Sequence, residues 1–324
     1  MNTPSTPLPA DPSAEAALSS AIDRADQRAN LNRNHPANGA PPDTPAASRP
    51  VVRRVLRWLL GALLVVSLLY AAAIAWLWWR QEAMLFHPVP LPAGQSLATE
   101  ADVHEYNVAV PGASLNVLAL RLPQPRGVVY FLHGNNGNLA TWFVNTELYR
   151  RANYDLVMLD YRGYGKSTGR IESEAQLMAD VRAVWQQEAP RYAGLQRVIY
   201  GRSLGSGLAA QLAAEVQPDL TLLVSPYVSM LALAQEKYPF VPAAALRYPL
   251  RTDLAVPRIR SALLLVHGRD DTLIAPSHSE ALKVLAPHAR VEIIDGAGHG
   301  DIHQSPAYLQ LLQAALAEPA AACH

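Results

Sequence analysis

A strand, a tight turn and a helix meet at one serine in this chain. The apolar run Val198–Tyr200 leads into Gly201-Arg202-Ser203-Leu204-Gly205, and the helix-forming segment Leu208–Val216 follows. At such a turn the two backbones crowd together, so small residues are needed two positions before and two after the serine. The turn also holds the serine in a strained conformation with its hydroxyl exposed. The alternative is a glycine-rich loop whose serine caps the helix.

Apolar strands and helical segments alternate from about residue 100. Strands are predicted at Val103–Val110, Ser114–Leu122, Gly127–Leu132, Tyr154–Leu159, Leu220–Val224, Ala262–Val266 and Val291–Ile294. Helices are predicted at Leu139–Arg151, Ser173–Glu188, Ser277–Leu285 and Pro306–Ala317. Alternation of this kind predicts an α/β fold, with a mostly parallel central sheet and helices on both faces.

Carboxylates and a histidine follow later strands. Asp270 and Asp271 come after the strand Ala262–Val266, and His299 lies in a glycine-flanked loop after the last strand. A serine becomes nucleophilic when a histidine takes its proton and a carboxylate stabilises the imidazolium. In α/β hydrolases these groups occur in the order serine, acid, histidine. The order predicts Ser203, one of the two aspartates and His299; His303 competes but adjoins the final helix.

A glycine-rich loop, His133-Gly134-Asn135-Asn136-Gly137-Asn138, follows the strand Gly127–Leu132. One oxyanion donor of the hydrolase fold comes from this loop and the other from the residue after the nucleophile. This assigns the backbone N–H groups of Asn135 and Leu204, with His133 shaping the loop. The histidines lack the tight spacing of a metal site, so no metal is expected, and the serine mechanism needs no cofactor.

The other strong signal is Trp58–Trp79, which has no charged residue over 22 positions. This length is sufficient to cross a hydrocarbon core of about 30 Å. Trp residues lie at both ends, as in interfacial aromatic belts. The alternatives are a buried helix and a cleaved signal peptide. The run is apolar on every face, which disfavours the core helix of a soluble domain, and is longer than a usual signal-peptide core, so a lipid bilayer anchor is favoured.

Flanking cations predict the orientation of the anchor. Arg80 follows the span beside Glu82, whereas four cations precede it: Arg49, Arg53, Arg54 and Arg57. The positive-inside rule places the N-terminus in the cytoplasm and the domain on the other side, which is the periplasm in a bacterium. Residues 1–50, rich in Pro, Ala and Ser, are expected to form a disordered cytoplasmic tail. The predicted division is therefore 1–50 tail, 51–80 anchor with its basic flank, and 81–324 catalytic domain.

Composition excludes some functions. Lys plus Arg and Asp plus Glu each number 27, so no global charge indicates a nucleic-acid partner. The one cysteine, Cys323, allows no internal disulfide. Five prolines interrupt residues 226–258, which run between two core strands. This excursion is predicted to cross the ligand-binding edge of the sheet as a lid, or else to be a purely structural crossover.

Five motifs in this order, HGNNGN, DYRGYGKSTG, GRSLGSG, HGRDDTLI and GAGHGD, resemble the Bem46-like branch of the serine α/β hydrolases, close to the ABHD13 and ABHD17 types. The resemblance covers residues 80–318 and includes Met84-Leu85-Phe86-His87-Pro88 after the anchor. It implies the α/β-hydrolase fold, with Ser203 as nucleophile, His299 as base and Asp271, rather than Asp270, as the orienting acid. Members of this group act on esters or thioesters, including lipid-modified proteins.

These features predict a membrane-anchored serine hydrolase that cleaves carboxylic ester or thioester bonds through an acyl-enzyme. An acyl ester or thioester, possibly an amphiphilic one, is the expected substrate. One alternative is a serine peptidase of the same fold. The other is a non-catalytic anchored scaffold whose tail recruits partners.

Overall fold

The computed structural model describes residues 49–319, so the predicted tail 1–50 lies almost wholly outside the described residues. The chain divides into two compact units, Met1–Val65 and Val66–His324. The described part of the first unit, residues 49–65, is the start of the long helix α1, Arg49–Leu85. The second unit contains the rest of α1 and every described strand.

Within residues 49–319, α1 is the one helix long and apolar enough to cross a membrane. Its most apolar 18-residue stretch, within Val51–Leu85, has a mean hydropathy of 2.3 and is not buried. The helix continues past Trp79, where the prediction ended the span. Phe86, which directly follows the helix, is buried and packs edge-on against Tyr248 with ring centroids 5.2 Å apart. The prediction of a single N-terminal membrane-spanning helix is confirmed in length and apolar character.

The remaining elements alternate as predicted. The strands are β1 His87–Pro88, β2 Val103–Val110, β3 Ala113–Leu120, β4 Gly127–Leu132, β5 Asn136–Gly137, β6 Tyr154–Leu159, β7 Gln196–Arg202, β8 Leu220–Val224, β9 Ala262–Gly268 and β10 Arg290–Ile294. The helices are α2 Leu139–Trp142, α3 Thr146–Ala152, α4 Glu174–Glu188, α5 Leu204–Val216, α6 Met230–Lys237, α7 Thr252–Ala255, α8 Ser277–Leu285 and α9 Pro306–Ala317.

Eight strands form the central sheet in the order β10-β9-β8-β7-β4-β6-β3-β2. All neighbours are parallel except at β3, which is antiparallel to both β2 and β6. Alternate residues of β4 point to two separate cores: Val128, Tyr130 and Leu132 to one, and Val129 and Phe131 to the other. Both faces are therefore covered, and the predicted α/β-hydrolase architecture is confirmed.

One predicted helix, Leu139–Arg151, is wrong as a single element. It is broken into α2 and α3 at Asn145, whose backbone has a left-handed φ of 57°. Asn138 caps α2 by accepting the N–H of Ala140 at 2.9 Å. Both asparagines offer short polar side chains that suit caps and left-handed positions better than a helix interior.

Candidate active site

Ser203 lies between the last residue of β7 and the first residue of α5. Its φ is 51° and its ψ is −121°, and its N–H donates to the carbonyl of Val224 at 2.9 Å. A Cβ on Gly205 would lie 2.0 Å from the carbonyl oxygen of Leu132, and one on Gly201 would lie 2.4 Å from Ala209 Cβ. The expected need for small residues on both sides of the serine is therefore confirmed.

The structure brings Ser203, His299 and Asp271 together, although they follow three different strands. His299 Nε2 lies 2.9 Å from Ser203 Oγ, and His299 Nδ1 lies 2.7 Å from Asp271 Oδ2. An ionised carboxylate can only accept, so Nδ1 carries the proton in this pair. The Nε2 lone pair of the neutral ring then faces the serine hydroxyl. This arrangement can remove the hydroxyl proton during a nucleophilic attack.

Asp271 is held ionised by its surroundings. Its other oxygen accepts the N–H groups of Leu273 and Ile274, at 3.0 and 2.9 Å. Burial acts to raise the pKa of Asp271, but the contacts with His267, His299 and the Ile274 N–H outweigh burial and hold this pKa well below its usual value. A permanent negative charge therefore faces His299, which stabilises the imidazolium formed when the ring accepts a proton.

The competing residues lie elsewhere. Asp270 is exposed and its N–H donates to the carbonyl of Ala297, whereas the neighbouring Asp271 faces the histidine. His303 is in a 3₁₀ turn, with Nδ1 3.0 Å from a terminal nitrogen of Arg202. Burial and the charge of Arg202 lower the pKa of His303.

His133 is fully buried beneath the glycine-rich loop. Its ring packs on Tyr161, with centroids 4.3 Å apart, and its Nδ1 lies 2.7 Å from the carbonyl of Gly134. The neighbouring loop is held by two side chains: Asp160 accepts the Leu139 N–H, and Arg162 pairs with Asp180. These contacts agree with a loop-shaping role for His133.

The N–H groups of Asn135 and Leu204 have no hydrogen-bond partner within residues 49–319. Leu204 is the first residue of α5, where helix N–H groups are free and the helix dipole is positive. Asn135 contacts the same cavity as Ser203 and Leu204. Two unpaired donors beside the serine are suited to hold a negatively charged oxygen.

Sequence reasoning missed how the Asn135 loop is held. The His87 N–H and the Tyr164 hydroxyl both donate to the Asn135 carbonyl, at 2.8 and 2.7 Å. The Asn135 side chain donates to the carbonyl of Leu85, the last residue of α1, at 3.1 Å. Strand β1 then pairs with β5 in this loop. The end of α1 therefore fixes the position of one predicted oxyanion donor.

Two cavities meet at Ser203. The first, the acyl cavity, has a volume of about 310 Å³ and is lined mainly by apolar side chains of α1 and of residues 226–258. The second has a volume of about 530 Å³ and is here called the polar cavity because it contains Arg202, His299 and His303, beside apolar and aromatic side chains such as Trp142. A substrate whose reacting bond lies at Ser203 can therefore place an apolar group on one side and a polar group on the other.

Arg202 is a second feature that sequence reasoning missed, although it stands inside the serine motif. Its guanidinium donates to the carbonyl of His299 at 2.8 Å and lies over the Trp142 ring, 5.1 Å from the centroid. Arg202 therefore holds the loop that carries His299. Across residues 49–319, no group of three or more His, Cys, Asp or Glu side chains is arranged to hold a metal ion.

The chain is similar to a known protein family and to several named relatives. A family model described as serine aminopeptidase, S33, matches residues 123–253. The α/β hydrolase domain-containing protein 17B of Xenopus laevis is 30% identical over 60% of this chain and 68% of its own length. The human 17C protein is 30% identical over 59% of this chain and 58% of its own length. The Xenopus tropicalis 17C protein is 30% identical over 62% of this chain and 66% of its own length. The chain thus spans less than two thirds of these two 17C relatives.

Solved structures share the fold. An esterase from Pyrococcus furiosus aligns with a TM-score of 0.57 and 17% identity, covering 72% of this chain and 97% of the esterase. A predicted CIB-like hydrolase from Thermoplasma acidophilum aligns with a TM-score of 0.52 and 19% identity, covering 66% and 98%. At these identities the likeness concerns the fold alone.

Proposed function

This chain belongs to the α/β-hydrolase family that includes the α/β hydrolase domain-containing proteins 17B and 17C, and we propose that it is a membrane-anchored serine hydrolase that cleaves carboxylic ester or thioester bonds. The observation that carries the proposal is the continuous contact from Ser203 Oγ through His299 to Asp271, at 2.9 and 2.7 Å. A serine that merely caps a helix needs neither partner. The buried, ionised acid adds support because its charge stabilises a protonated His299.

In the proposed reaction, Ser203 Oγ attacks the carbonyl carbon while its proton moves to His299 Nε2. The N–H groups of Asn135 and Leu204 stabilise the oxyanion. The intermediate collapses when the alcohol or thiol leaves with the proton from His299, giving an acyl-enzyme. Water then attacks this ester and gives a proton to His299, and the acid is released with Ser203 restored. The chain's own residues carry every proton transfer.

The two cavities support one substrate orientation. An apolar acyl group fits the acyl cavity, whose volume lies at the lower end of the roughly 300–1,000 Å³ of ligand pockets. The leaving group then points to the polar cavity near Arg202 and Trp142. This orientation places the carbonyl oxygen within reach of Asn135, which contacts both cavities.

Peptide hydrolysis is the second candidate, because the matching family model is described as a serine aminopeptidase. An aminopeptidase must bind a positively charged amino terminus, for which a carboxylate is the natural partner. Within the part of the chain that the structure describes, neither cavity at Ser203 is lined by Asp or Glu. Arg202 and Lys237 are there instead, and both repel an ammonium group. Ester or thioester hydrolysis is therefore favoured.

The test uses the purified full-length protein in detergent. We expect hydrolysis of p-nitrophenyl butyrate, little hydrolysis of alanine p-nitroanilide, and labelling by a fluorophosphonate probe. Ser203→Ala should abolish both hydrolysis and labelling. Ser261→Ala is the matched control, because the Ser261 hydroxyl has no hydrogen-bond partner within residues 49–319. Full esterase activity in Ser203→Ala would reject the mechanism, and faster cleavage of the anilide than of the ester would favour the peptidase.

A further inference from the structure

The apolar helix α1 forms part of the wall of the acyl cavity. Leu77, Gln81, Met84 and Leu85 of α1 line the cavity together with Ser203. The remaining wall comes largely from residues 226–258, here called the cap, through Met230, Leu233, Val241 and Leu246. The segment that would cross the bilayer is thus also part of the proposed substrate site.

Side chains near the end of α1 form hydrogen bonds and a cation–π contact with the cap. The Gln81 amide donates to the carbonyl of Ala245 at 2.6 Å and accepts the N–H of Arg247 at 2.8 Å. The Tyr248 hydroxyl donates to Glu82 at 2.8 Å. The Arg247 guanidinium lies over the Trp78 ring, 4.7 Å from its centroid. These contacts place this part of the cap beside the predicted aromatic belt of α1.

One part of the cap, Tyr238–Leu246, is here called the cap tip. It has no charged residue over nine positions and lies between Lys237 and Arg247. Tyr238 and Phe240 are 44% and 59% exposed, which would be unfavourable for such large apolar rings in water. Apolar surface flanked by cations is typical of a segment that enters a membrane while its charges stay in the headgroup region.

The position of the cap tip along α1 agrees with membrane insertion. The Tyr70 hydroxyl donates to the carbonyl of Phe240 at 2.8 Å. Tyr70 lies nine residues before Trp79 in the same helix, which is about 13 Å along its axis. The cap tip therefore reaches beside the apolar run rather than staying beyond its aromatic end.

Part of the backbone of the cap tip is satisfied within the protein, as a site without water requires. Polar backbone groups in hydrocarbon must be satisfied within the protein. Pro239 and Pro242 have no N–H, and the Phe240 carbonyl is satisfied by Tyr70. The Val241 N–H donates to the carbonyl of Tyr238 at 3.0 Å, and the Ala245 N–H to that of Pro242 at 2.9 Å.

We propose that the acyl cavity opens into the lipid leaflet between α1 and the cap tip, so that long acyl chains enter the site laterally from the bilayer. This inference rests on the proposed function and names its substrate class: esters or thioesters whose acyl chain lies in the membrane. Leu77 and Leu233 then determine chain-length specificity from two walls of one cavity. A glycerolipid and an S-acylated cysteine present the same chain, so the experiment uses both.

The full-length protein is reconstituted in vesicles of ether-linked phospholipid, which contain no cleavable ester. Dipalmitoyl phosphatidylcholine or an S-palmitoyl cysteine peptide is placed either in these vesicles or in separate ones. Palmitate release is measured, with p-nitrophenyl butyrate in the water as an independent measure of the proposed activity. We expect release from at least one substrate, at least about tenfold faster when enzyme and substrate share a bilayer.

Wall variants test the assignment of the cavity. Leu77→Trp should lower the ratio of the palmitate rate to the butyrate rate about tenfold, since a filled acyl site costs about this factor or more. Leu69→Trp is the matched control on the same helix, because Leu69 is 65% exposed and does not line the cavity. Leu233→Trp repeats the test from the cap, with the exposed Leu254→Trp as its control.

Equal rates from shared and separate vesicles would overturn the proposal, as would an unchanged palmitate-to-butyrate ratio in both Leu77→Trp and Leu233→Trp. Butyrate hydrolysis without palmitate release from either substrate would also overturn it while leaving the proposed function standing. If the unaltered protein hydrolysed neither p-nitrophenyl butyrate nor the palmitoyl substrates, the proposed function itself would be rejected.

Discussion

At the scale of single residues, Ser203 combines backbone strain with its proposed chemistry. Its φ of 51° is positive, which is rare for a residue with a Cβ and favourable for glycine. Strain of this kind costs about 1–3 kcal/mol and persists where the surrounding structure imposes it. Here β7, α5 and the hydrogen bond to Val224 impose it. The strain sets the direction of the Ser203 side chain, whose hydroxyl faces His299.

Replacing this serine in two ways separates strain from chemistry. Ser203→Gly and Ser203→Ala should both lack activity, but the glycine variant should be more stable by about 1 kcal/mol, because released strain exceeds the entropic cost of glycine. Denaturant unfolding of the two purified variants gives the comparison. A glycine variant less stable than the alanine variant would show that the native conformation carries no such strain.

Asp271 also predicts a pH dependence. Its pKa is lower in the folded protein than in the unfolded chain, so its contribution to stability is complete above the unfolded pKa of about 4 and is lost as the pH falls toward the folded value. Asp271→Asn should therefore lower the free energy of unfolding by about 2 kcal/mol near neutral pH. The difference from the unaltered protein should shrink below about pH 4.

Unfolding curves of both proteins across this range measure the difference, and hydrolysis of p-nitrophenyl butyrate provides a second measurement. Activity at neutral pH should fall on the order of a thousandfold or more, because the asparagine no longer orients His299 in the required tautomer. Asp270→Asn is the matched control, since Asp270 is exposed. A stability difference that grew at low pH would contradict the argument.

At the scale of elements, the end of α1, the cap and the Asn135 loop form one connected unit. Gln81 bonds to the cap through Ala245 and Arg247, and Leu85 bonds to Asn135. Part-buried hydrogen bonds of this kind contribute about 1 kcal/mol each. Helix α6, which belongs to the cap, contributes no buried residue to the core. The cap tip therefore depends on α1 for its position, whereas the end of the cap is held in the core by Tyr248, Leu250 and Val256.

Removing the Gln81 amide should loosen the cap. In Gln81→Ala, limited proteolysis should cleave residues 238–247 several-fold faster, because two hydrogen bonds of about 1 kcal/mol each are lost. The cleavage site is identified by mass spectrometry of the fragments. Gln187→Ala, at an exposed position of α4, is the matched control and should behave like the unaltered protein. Equal cleavage of both variants would show that Gln81 does not hold the cap.

At the scale of the whole molecule, the proposed anchor and orientation can be tested in the membrane. The protein should stay in the membrane pellet after alkaline carbonate extraction and leave it only in detergent, as a membrane-spanning helix requires. On sealed vesicles, protease should reach the domain from the side opposite the cytoplasm, because four arginines lie within ten residues before Trp58 and Arg80 alone closely follows Trp79. Digestion of the domain only from the cytoplasmic side would reverse the proposed orientation.

Much of this fold was predictable because its signals are local. Apolar runs and helical segments predicted β4, β6, β8 and α8 with their observed bounds. The glycines beside Ser203 are required by two backbones that meet within a few residues. The meeting of serine, acid and histidine was also predictable, since these residues follow β7, β9 and β10, and parallel strands bring their carboxyl ends to one edge.

Tertiary structure decided which groups meet. From the residues alone Asp270 and Asp271 were equal candidates, and the turn after β9 directs Asp271, not Asp270, to His299. Gln81 and Ala245 are 164 residues apart, and Leu85 and Asn135 are 50 apart. Such contacts have no local pattern, because they depend on packing between elements rather than on propensity or periodicity. The sequence by itself determined an apolar helix and a hydrolase-like sheet; only packing made the helix a wall of the cavity at Ser203.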